Sequence, residues 1–408
     1  MKPKMRLPFA LLCGVPFVMV LSNSMLIPVL PLMQSQMKLS PFQIGLIVTA
    51  FSIPAGLTIP IAGYLSDRFG RKIVIVPALF IFGLGGLLAG VAALLTSRPF
   101  PWILAARVLQ GLGGGGTYQM AMALTGDIFQ SSERAKALGL LESANGLGKV
   151  VSPIIGSLAG LIIWFAPFYI YPLLAIPIAV GVWVKVQEPE RERQHNSIRS
   201  YLSSIGKILR RDALSLAAAL LTGLLVLFML FGLLSYLSDV LEDEYNIDGL
   251  KKGFVIAIPV LGMALTSYLS GTWLQEQTGK TCKWVSIGGM LLVAISLLAP
   301  ALTNNLYILL TAATLQGIGT GGVLPAINLL ITGAADQRER GMITAFYGTA
   351  RFFGAALGPP TFGLLVEKNK NLLFIFSAIT VALIGGVAYA CIKPPTMPGQ
   401  NKQNEKNK

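Results

Sequence analysis

The sequence predicts an all-α membrane protein whose twelve transmembrane helices form two pseudo-symmetric six-helix bundles. Of its 408 residues, 54% are hydrophobic and only 12% are charged, and the mean hydropathy is +0.68. Soluble globular proteins carry about 25% charged residues, so an ordinary soluble enzyme is excluded. A spanning helix needs about 20 apolar residues, and the chain is long enough for roughly a dozen such helices with short loops.

The spans are predicted from apolar runs that are bounded by charges or turn residues. They lie near 8–33, 42–65, 73–96, 100–125, 137–163 and 166–186, and then near 213–238, 250–274, 282–301, 305–333, 341–366 and 371–392. The first run is too long for a signal-peptide core and has no small-residue cleavage site, so we expect a retained span.

The spans divide the chain into an N-terminal bundle over 1–186 and a C-terminal bundle over 213–392. The connection over 187–212 has apolar residues at helical spacing opposite basic residues, which predicts an amphipathic cytoplasmic linker helix. The tail over 393–408 is rich in Gln, Asn and Lys, and it has too little apolar surface to fold.

The net charge of +14 comes from 32 Lys and Arg residues, most of which lie in short loops. Their distribution satisfies the positive-inside rule when both termini are cytoplasmic, so we expect a multi-pass plasma-membrane protein in that orientation. A basic face with interleaved aromatic residues is missing, and nucleic-acid binding is not expected.

The two halves contain an internal repeat. The segment 109–113 (LQGLG) matches 315–319 (LQGIG), and the segment 133–134 (ER) matches 339–340 (ER). Six spans per repeat give both copies the same membrane orientation. Parallel repeats of this kind occur in transporters that bind substrate near the membrane midplane, where the repeats meet.

The segment 63–72 (GYLSDRFGRK) resembles the loop signature of the major facilitator superfamily at every defining position. Glycines permit a tight turn, and the carboxylate can face the positive N-terminus of a helix from the other half. The resemblance implies a cytoplasmic gate, with Asp127 as the partner of Arg71. The gate residues are Gly63, Asp67, Arg68, Gly70, Arg71, Lys72 and Asp127. The alternative interpretation is a basic turn that only sets the orientation.

Span five resembles the antiporter motif of the same superfamily through Gly148, Ser152, Pro153 and Gly156, although Ser152 replaces the usual Gly. Small residues allow close helix packing, and proline allows a bend, as a gating helix requires. The resemblance implies the twelve-span drug:proton antiporter branch.

Arg107 lies in a segment, 104–113 (LAARVLQGLG), that resembles the family's span-four motif. A buried arginine in a membrane is costly and is therefore a functional candidate, placed here in the substrate or proton pathway. The alternative is a structural role in which the guanidinium pairs with backbone carbonyls.

Span five also carries a polar stripe of Glu142, Asn145 and Lys149, which share one side of the helix. Burial would favour the neutral form of Glu142 and make it a proton carrier, unless its side chain reaches water from the helix end. Arg351 occupies the repeat position of Asn145. The interior cations Arg107, Lys149 and Arg351 suggest a cavity that accepts anionic groups.

Asn23 belongs to a first-span stretch, 22–31, where many drug antiporters of this branch have an acidic residue, and the absence of that residue argues against cationic drugs. Tyr118 belongs to an aromatic and Met-rich stretch of span four. Both are assigned to the pathway, although such stretches also occur in ordinary packing. The segments 111–116 and 317–322 fit a dinucleotide-binding pattern but do not follow a strand, so helix packing is expected. His195, the only histidine, lacks metal-ligand neighbours.

The resemblance implies a proton-coupled exporter of amphiphilic or aromatic compounds, of the multidrug efflux type, that works by alternating access. The interior cations favour an alternative, which is export or flipping of an anionic amphiphile such as a glycolipid or an organic acid. A membrane-embedded enzyme is a remote possibility, because neither paired catalytic carboxylates nor an activated nucleophile is recognisable. We expect a monomer that interacts with a small-molecule or lipid-like substrate, protons and membrane lipid, without a cofactor or metal.

Overall fold

The computed structural model describes residues 5–129, 131–189, 213–303, 305–334 and 340–392, and all regular secondary structure in these ranges is helical. The helices are α1 (Arg6–Ser24), α2 (Leu30–Met37), α3 (Pro41–Phe69), α4 (Arg71–Leu95), α5 (Phe100–Gly114), α6 (Thr117–Ile128), α7 (Ser131–Ile162), α8 (Ala166–Lys185), α9 (Ala213–Asp243), α10 (Gly249–Leu274), α11 (Gly279–Leu302), α12 (Leu306–Ala334) and α13 (Arg340–Cys391). The predicted linker helix, His195 and the tail over 393–408 lie outside the described residues.

Ten helical segments in the described ranges are long and apolar enough to cross a membrane. One of them, α13, consists of two helices that meet at Asn369, where the backbone leaves the helical conformation. The Asn369 side chain accepts a hydrogen bond from the Leu372 amide, 3.0 Å away, and so begins the next helix. Helices α5 and α6 together cover the fourth predicted span. The described helices agree with twelve spans, and the predicted helical membrane fold is confirmed.

Two spans that the hydropathy pattern treats as continuous are interrupted. Pro28 has no amide hydrogen, so α1 ends at Ser24 and a short 3-10 helix, Ile27–Val29, precedes α2. Between α5 and α6, Gly116 adopts a left-handed conformation (φ 82°), and a side chain at Gly115 would collide with the Ala55 carbonyl. Both interruptions lie next to polar residues of the candidate site.

The helices form two compact units. The first contains the described residues up to 189 together with Ser238–Ala257, and the second contains 213–237 together with the described residues from Ile258 onward. In the first unit, α4 packs against α5 and α8, and α1 packs against α7 and α8. In the second unit, α11 packs against α12 and α13.

The internal repeat reappears in the packing of each unit. A side chain at Gly111 would collide with the carbonyl of Phe51, and one at Gly317 would collide with the carbonyl of Pro259. Both glycine runs therefore let helix backbones approach closely, which is how membrane helices associate. The dinucleotide-like pattern is a packing surface in both halves, as expected.

Candidate functional site

Arg107 is completely buried at the centre of a network that joins four helices of the first unit. Its Nε donates to the carbonyl of Ile47 (3.1 Å) in α3, and its Nη1 donates to Gln110 Oε1 (2.7 Å) in α5. Its Nη2 donates to the carbonyl of Ser22 (3.0 Å) and to Asn23 Oδ1 (3.0 Å), both in α1. Asn23 continues the network by donating to Ser52 Oγ at 2.6 Å.

The Ser22 carbonyl is available because α1 ends beside it. In an unbroken helix the Leu26 amide would bond to Ser22, but here it bonds to the carbonyl of Asn23 at 3.1 Å. The Ser22 carbonyl instead accepts hydrogen bonds from Arg107 and from the hydroxyl of Tyr171 in α8 (2.9 Å). The Ser22 carbonyl thus becomes an acceptor for the buried charge at the place where α1 ends.

Aromatic rings complete the surroundings of the Arg107 guanidinium. Its central carbon lies 4.6 Å from the ring centroid of Phe51 and 6.0 Å from that of Tyr171. Charge-assisted hydrogen bonds and cation–π contacts both stabilise a desolvated guanidinium. The pairing with backbone carbonyls, which the sequence suggested as a structural alternative, is present. Arg107 also contacts Asn23, another predicted pathway residue. A role for Arg107 in transport stays a prediction.

The second unit lacks the corresponding arginine, since Ala313 occupies the repeat position of Arg107. Gln316, the counterpart of Gln110, is fully buried, and neither of its side-chain amide atoms has a hydrogen-bond partner among the described residues. Arg351 lies over the ring of Tyr347, 5.6 Å from its centroid, and its Nε is buried without a hydrogen-bond partner in the described part of the chain. The two units are therefore similar in packing but different in charge.

The hydroxyl of Tyr118 donates a hydrogen bond to Glu142 Oε2, which joins α6 to α7. Both side chains are partly buried, and on the same stripe of α7 Asn145 is buried while Lys149 is partly buried. Two of the predicted pathway residues are thus in direct contact. A carboxylate that is hydrogen-bonded to a phenol can accept, hold and release a proton, which is the chemistry that proton coupling requires.

The predicted gate loop lies between α3 and α4. Arg71 Nε is 2.7 Å from Asp127 Oδ2 at the end of α6, so the structure contains the ion pair that the family resemblance implies. Asp67 and Arg68 are exposed at the end of α3, and Gly70 has a positive φ of 111°. Lys72 Nζ donates to the carbonyl of Val186 at 2.7 Å. The gating role of these residues stays a prediction.

The antiporter-motif face of α7 lies against α1. A side chain at Gly148 would come within 3.1 Å of the Phe17 carbonyl, and one at Gly156 would collide with the Met25 carbonyl. Ser152 is completely buried. The Ser at this position is small enough for close packing, and α7 continues through Pro153 without interruption.

One ion pair that contains a buried lysine was missed by the sequence analysis. The seventh span was expected to end at 238, but α9 continues to Asp243. Glu242, near the end of α9, accepts a hydrogen bond from Lys252 Nζ. Lys252 is only 2% exposed. The protein interior therefore contains a cation besides Arg107, Lys149 and Arg351. The acidic residues within 239–244, which lie close to two lysines in the sequence, were the signal that could have predicted this ion pair.

Comparison with known proteins identifies the family to which the chain is similar. The profile of the Major Facilitator Superfamily matches residues 12–282 and 235–408. The chain is 40% identical to the bacillibactin exporter of Bacillus subtilis (strain 168) over 369 residues, which are 90% of this chain and 92% of that protein. It is 26% identical to multidrug resistance protein 1 of the same organism, over 90% of this chain and 92% of that protein.

Among solved structures, the human organic anion transporter MFSD10 has a TM-score of 0.71, covering 95% of this chain and 100% of that chain. Its 19% sequence identity supports a common fold alone. The family profile and the 40% identical exporter, however, extend along most of the sequence. The chain therefore belongs to the major facilitator superfamily and is a multi-pass membrane transporter.

Proposed function

We propose that this protein is a proton-coupled exporter of amphiphilic or aromatic compounds, which works by alternating access between its two six-helix halves. The observation that carries the proposal is the hydrogen bond between Tyr118 and Glu142. Glu142 is a carboxylate that can bind a proton, and it lies on α7, the helix that resembles the antiporter motif. Its hydrogen-bond partner, Tyr118, has a hydroxyl that can donate to it.

The same helix supports a link between protonation and movement. Gly148 and Gly156 allow α7 to lie directly on the α1 backbone, while Glu142 lies nearer the beginning of α7 and is bonded to α6. Loss of the Glu142 charge would change its bond to Tyr118 and hence the contact between α6 and α7. Because small residues let the two helix backbones approach closely, a movement of α7 would also affect α1.

The substrate proposal rests on the relatives. Proteins named as a bacillibactin exporter and as multidrug resistance protein 1 match this chain over most of its length. We infer that the substrate is a small amphiphilic molecule, and bacillibactin is the first compound to test. The loop cations support cytoplasmic termini in the plasma membrane, so export moves the substrate outward.

The experiment is transport into inverted vesicles that carry an imposed proton gradient. Bacillibactin and matched cationic, neutral and anionic amphiphiles would be compared, with substrate uptake and lumenal pH recorded together. We expect gradient-dependent uptake and proton release from the lumen in wild type, and neither in Glu142→Gln. Glu367→Gln, which alters an exposed carboxylate, is the control. Uptake that is unchanged after the gradient is collapsed would contradict proton coupling.

A second candidate function is export or flipping of an anionic amphiphile, such as a glycolipid or an organic acid. It is favoured by Arg351, whose buried Nε has no hydrogen-bond partner among the described residues, and by Lys149 on the polar stripe of α7. An entering anionic group would be attracted by these cations in a medium of low dielectric constant. The charge series in the vesicle experiment separates this candidate from the first.

The alternative of a different class, a membrane-embedded enzyme, has less support because the relatives are transporters. Chemical conversion of a substrate by the purified protein, without a membrane gradient, would be its signature. Mass spectrometry of the compound recovered from the vesicles distinguishes the two classes, because a transporter returns it unchanged.

A further inference from the structure

The segment that follows α8 binds the first residues of α4. Glu188 Oε1 accepts a hydrogen bond from the Arg71 amide at 2.6 Å, and Glu188 Oε2 accepts one from the Lys72 amide at 3.0 Å. These are the first two amides of α4, and the helix itself offers them no acceptor. Both carboxylate oxygens are thus used by a residue that lies more than a hundred positions away in the sequence.

Gly70 makes this contact possible in two ways. Its φ of 111° is a conformation that residues with a side chain rarely adopt. A Cβ atom on Gly70 would also lie 3.2 Å from Glu188 Oε2, which is closer than ordinary contact. The glycine that precedes α4 in the loop signature therefore leaves room for the carboxylate, and it has no side chain of its own that could cap the helix.

The charges around Glu188 attract its carboxylate to this position. A carboxylate at a helix N-terminus is stabilised by the helix dipole, and the two residues that it binds are both basic. Lys72 reinforces the junction in the opposite direction, because its Nζ donates to the Val186 carbonyl and lies 5.3 Å from the ring centroid of Trp183. The end of α8 and the start of α4 are thus connected from both sides.

Arg71 takes part both in this contact between the end of α8 and the start of α4 and in the ion pair of the predicted gate. Its backbone amide is bound by Glu188, and its side chain is paired with Asp127. The position of the Arg71 backbone decides whether the guanidinium can reach that carboxylate. Glu188 thus binds the backbone of the same residue whose side chain forms the ion pair at the end of α6.

We infer that Glu188 is a positioning residue of the cytoplasmic gate, which holds the start of α4 so that Arg71 pairs with Asp127. Glu188 lies at the start of the connection, 187–212, that leads to the second half of the protein. Glu188 thus attaches the start of that connection to the gate loop. The transport part of this inference rests on the proposed function, whereas the structural part does not.

The structural part is tested by hydrogen–deuterium exchange on the full-length protein in lipid nanodiscs. In Glu188→Ala, we expect the Arg71 and Lys72 amides to exchange about tenfold faster, within the range for loss of a helix cap. Glu188→Gln retains one acceptor oxygen and should give an intermediate rate. Glu367→Ala is the control. Unchanged exchange at these amides in folded Glu188→Ala protein would overturn the inference, whether or not a transported compound has been found.

The positioning role is tested by a double-mutant cycle measured as initial transport rate. Glu188→Ala and Asp127→Asn should each slow transport, and the double variant should be no slower than the slower single variant, because both changes remove the same ion pair. Glu188→Ala combined with Lys185→Met should show independent effects. If the losses from Glu188→Ala and Asp127→Asn multiply, Glu188 acts only as a stabilising cap and the positioning role is wrong. Absence of wild-type transport would count against the proposed function alone.

Discussion

The Arg107 guanidinium donates a hydrogen bond to the Ser22 carbonyl, at 3.0 Å, where α1 ends. This contact joins a buried charge in the fourth span to a carbonyl that is free because the Leu26 amide bonds to Asn23 instead. It connects a local feature of the sequence to the packing of four helices.

Arg107→Met should lower stability more than it changes substrate preference. The substitution removes all four hydrogen bonds and leaves buried acceptors at Ile47 and Gln110 without their donor. Each buried acceptor that is left without a donor costs about 1–3 kcal/mol. The thermal unfolding midpoint in detergent measures the loss, with the exposed Arg98→Met as the control. A variant as stable as wild type would show that the network does not hold the helices together.

Asp67→Asn should abolish or sharply reduce transport while membrane insertion remains intact. The family resemblance implies that this carboxylate faces the positive end of a helix, and its exposure at the end of α3 makes a folding defect unexpected. Transport in vesicles and protein content from the same preparation are measured together. Wild-type transport rates in this variant would remove the proposed latch role.

Glu142→Gln should eliminate both accumulation against a gradient and substrate-induced proton movement. The amide cannot release a proton, although it can still accept a hydrogen bond from Tyr118. Tyr118→Phe should slow transport but retain coupling, because the carboxylate remains. If Glu142→Gln still moves protons when substrate is added, the coupling residue lies elsewhere, and Asp127 is the next candidate.

Lys149→Met should distinguish the two substrate classes. If anionic compounds are bound, the substitution should weaken binding of an anionic amphiphile more than that of a neutral one of the same shape, by on the order of 1 kcal/mol or more. Binding is measured as competition with a labelled compound in nanodiscs. Equal losses for both compounds would exclude the anionic-substrate proposal and leave the multidrug proposal in place.

Local patterns were sufficient to predict most of the architecture. Helix bounds agree with the predicted spans to within a few residues for most helices. The clearest exceptions are the fifth span, predicted from 137, whose helix begins at Ser131, and the seventh, predicted to 238, whose helix continues to Asp243. The proximity of Tyr118 and Glu142 was not predictable, although both were chosen as pathway residues. Their contact depends on the change in direction at Gly115 and Gly116, which hydropathy does not report.

The linear sequence is sufficient to predict the fold class, the span positions, the repeat and the loop signature. These properties follow from apolar run length, charge distribution and short motifs, all of which are local along the chain. Three other features depend on how the helices pack: the acceptors around Arg107, the burial of Lys252 beside Glu242, and the binding of Glu188 to the start of α4. Each of these contacts joins different helices or the segments at their ends, and the donor and acceptor meet only when packing brings distant segments to the same place.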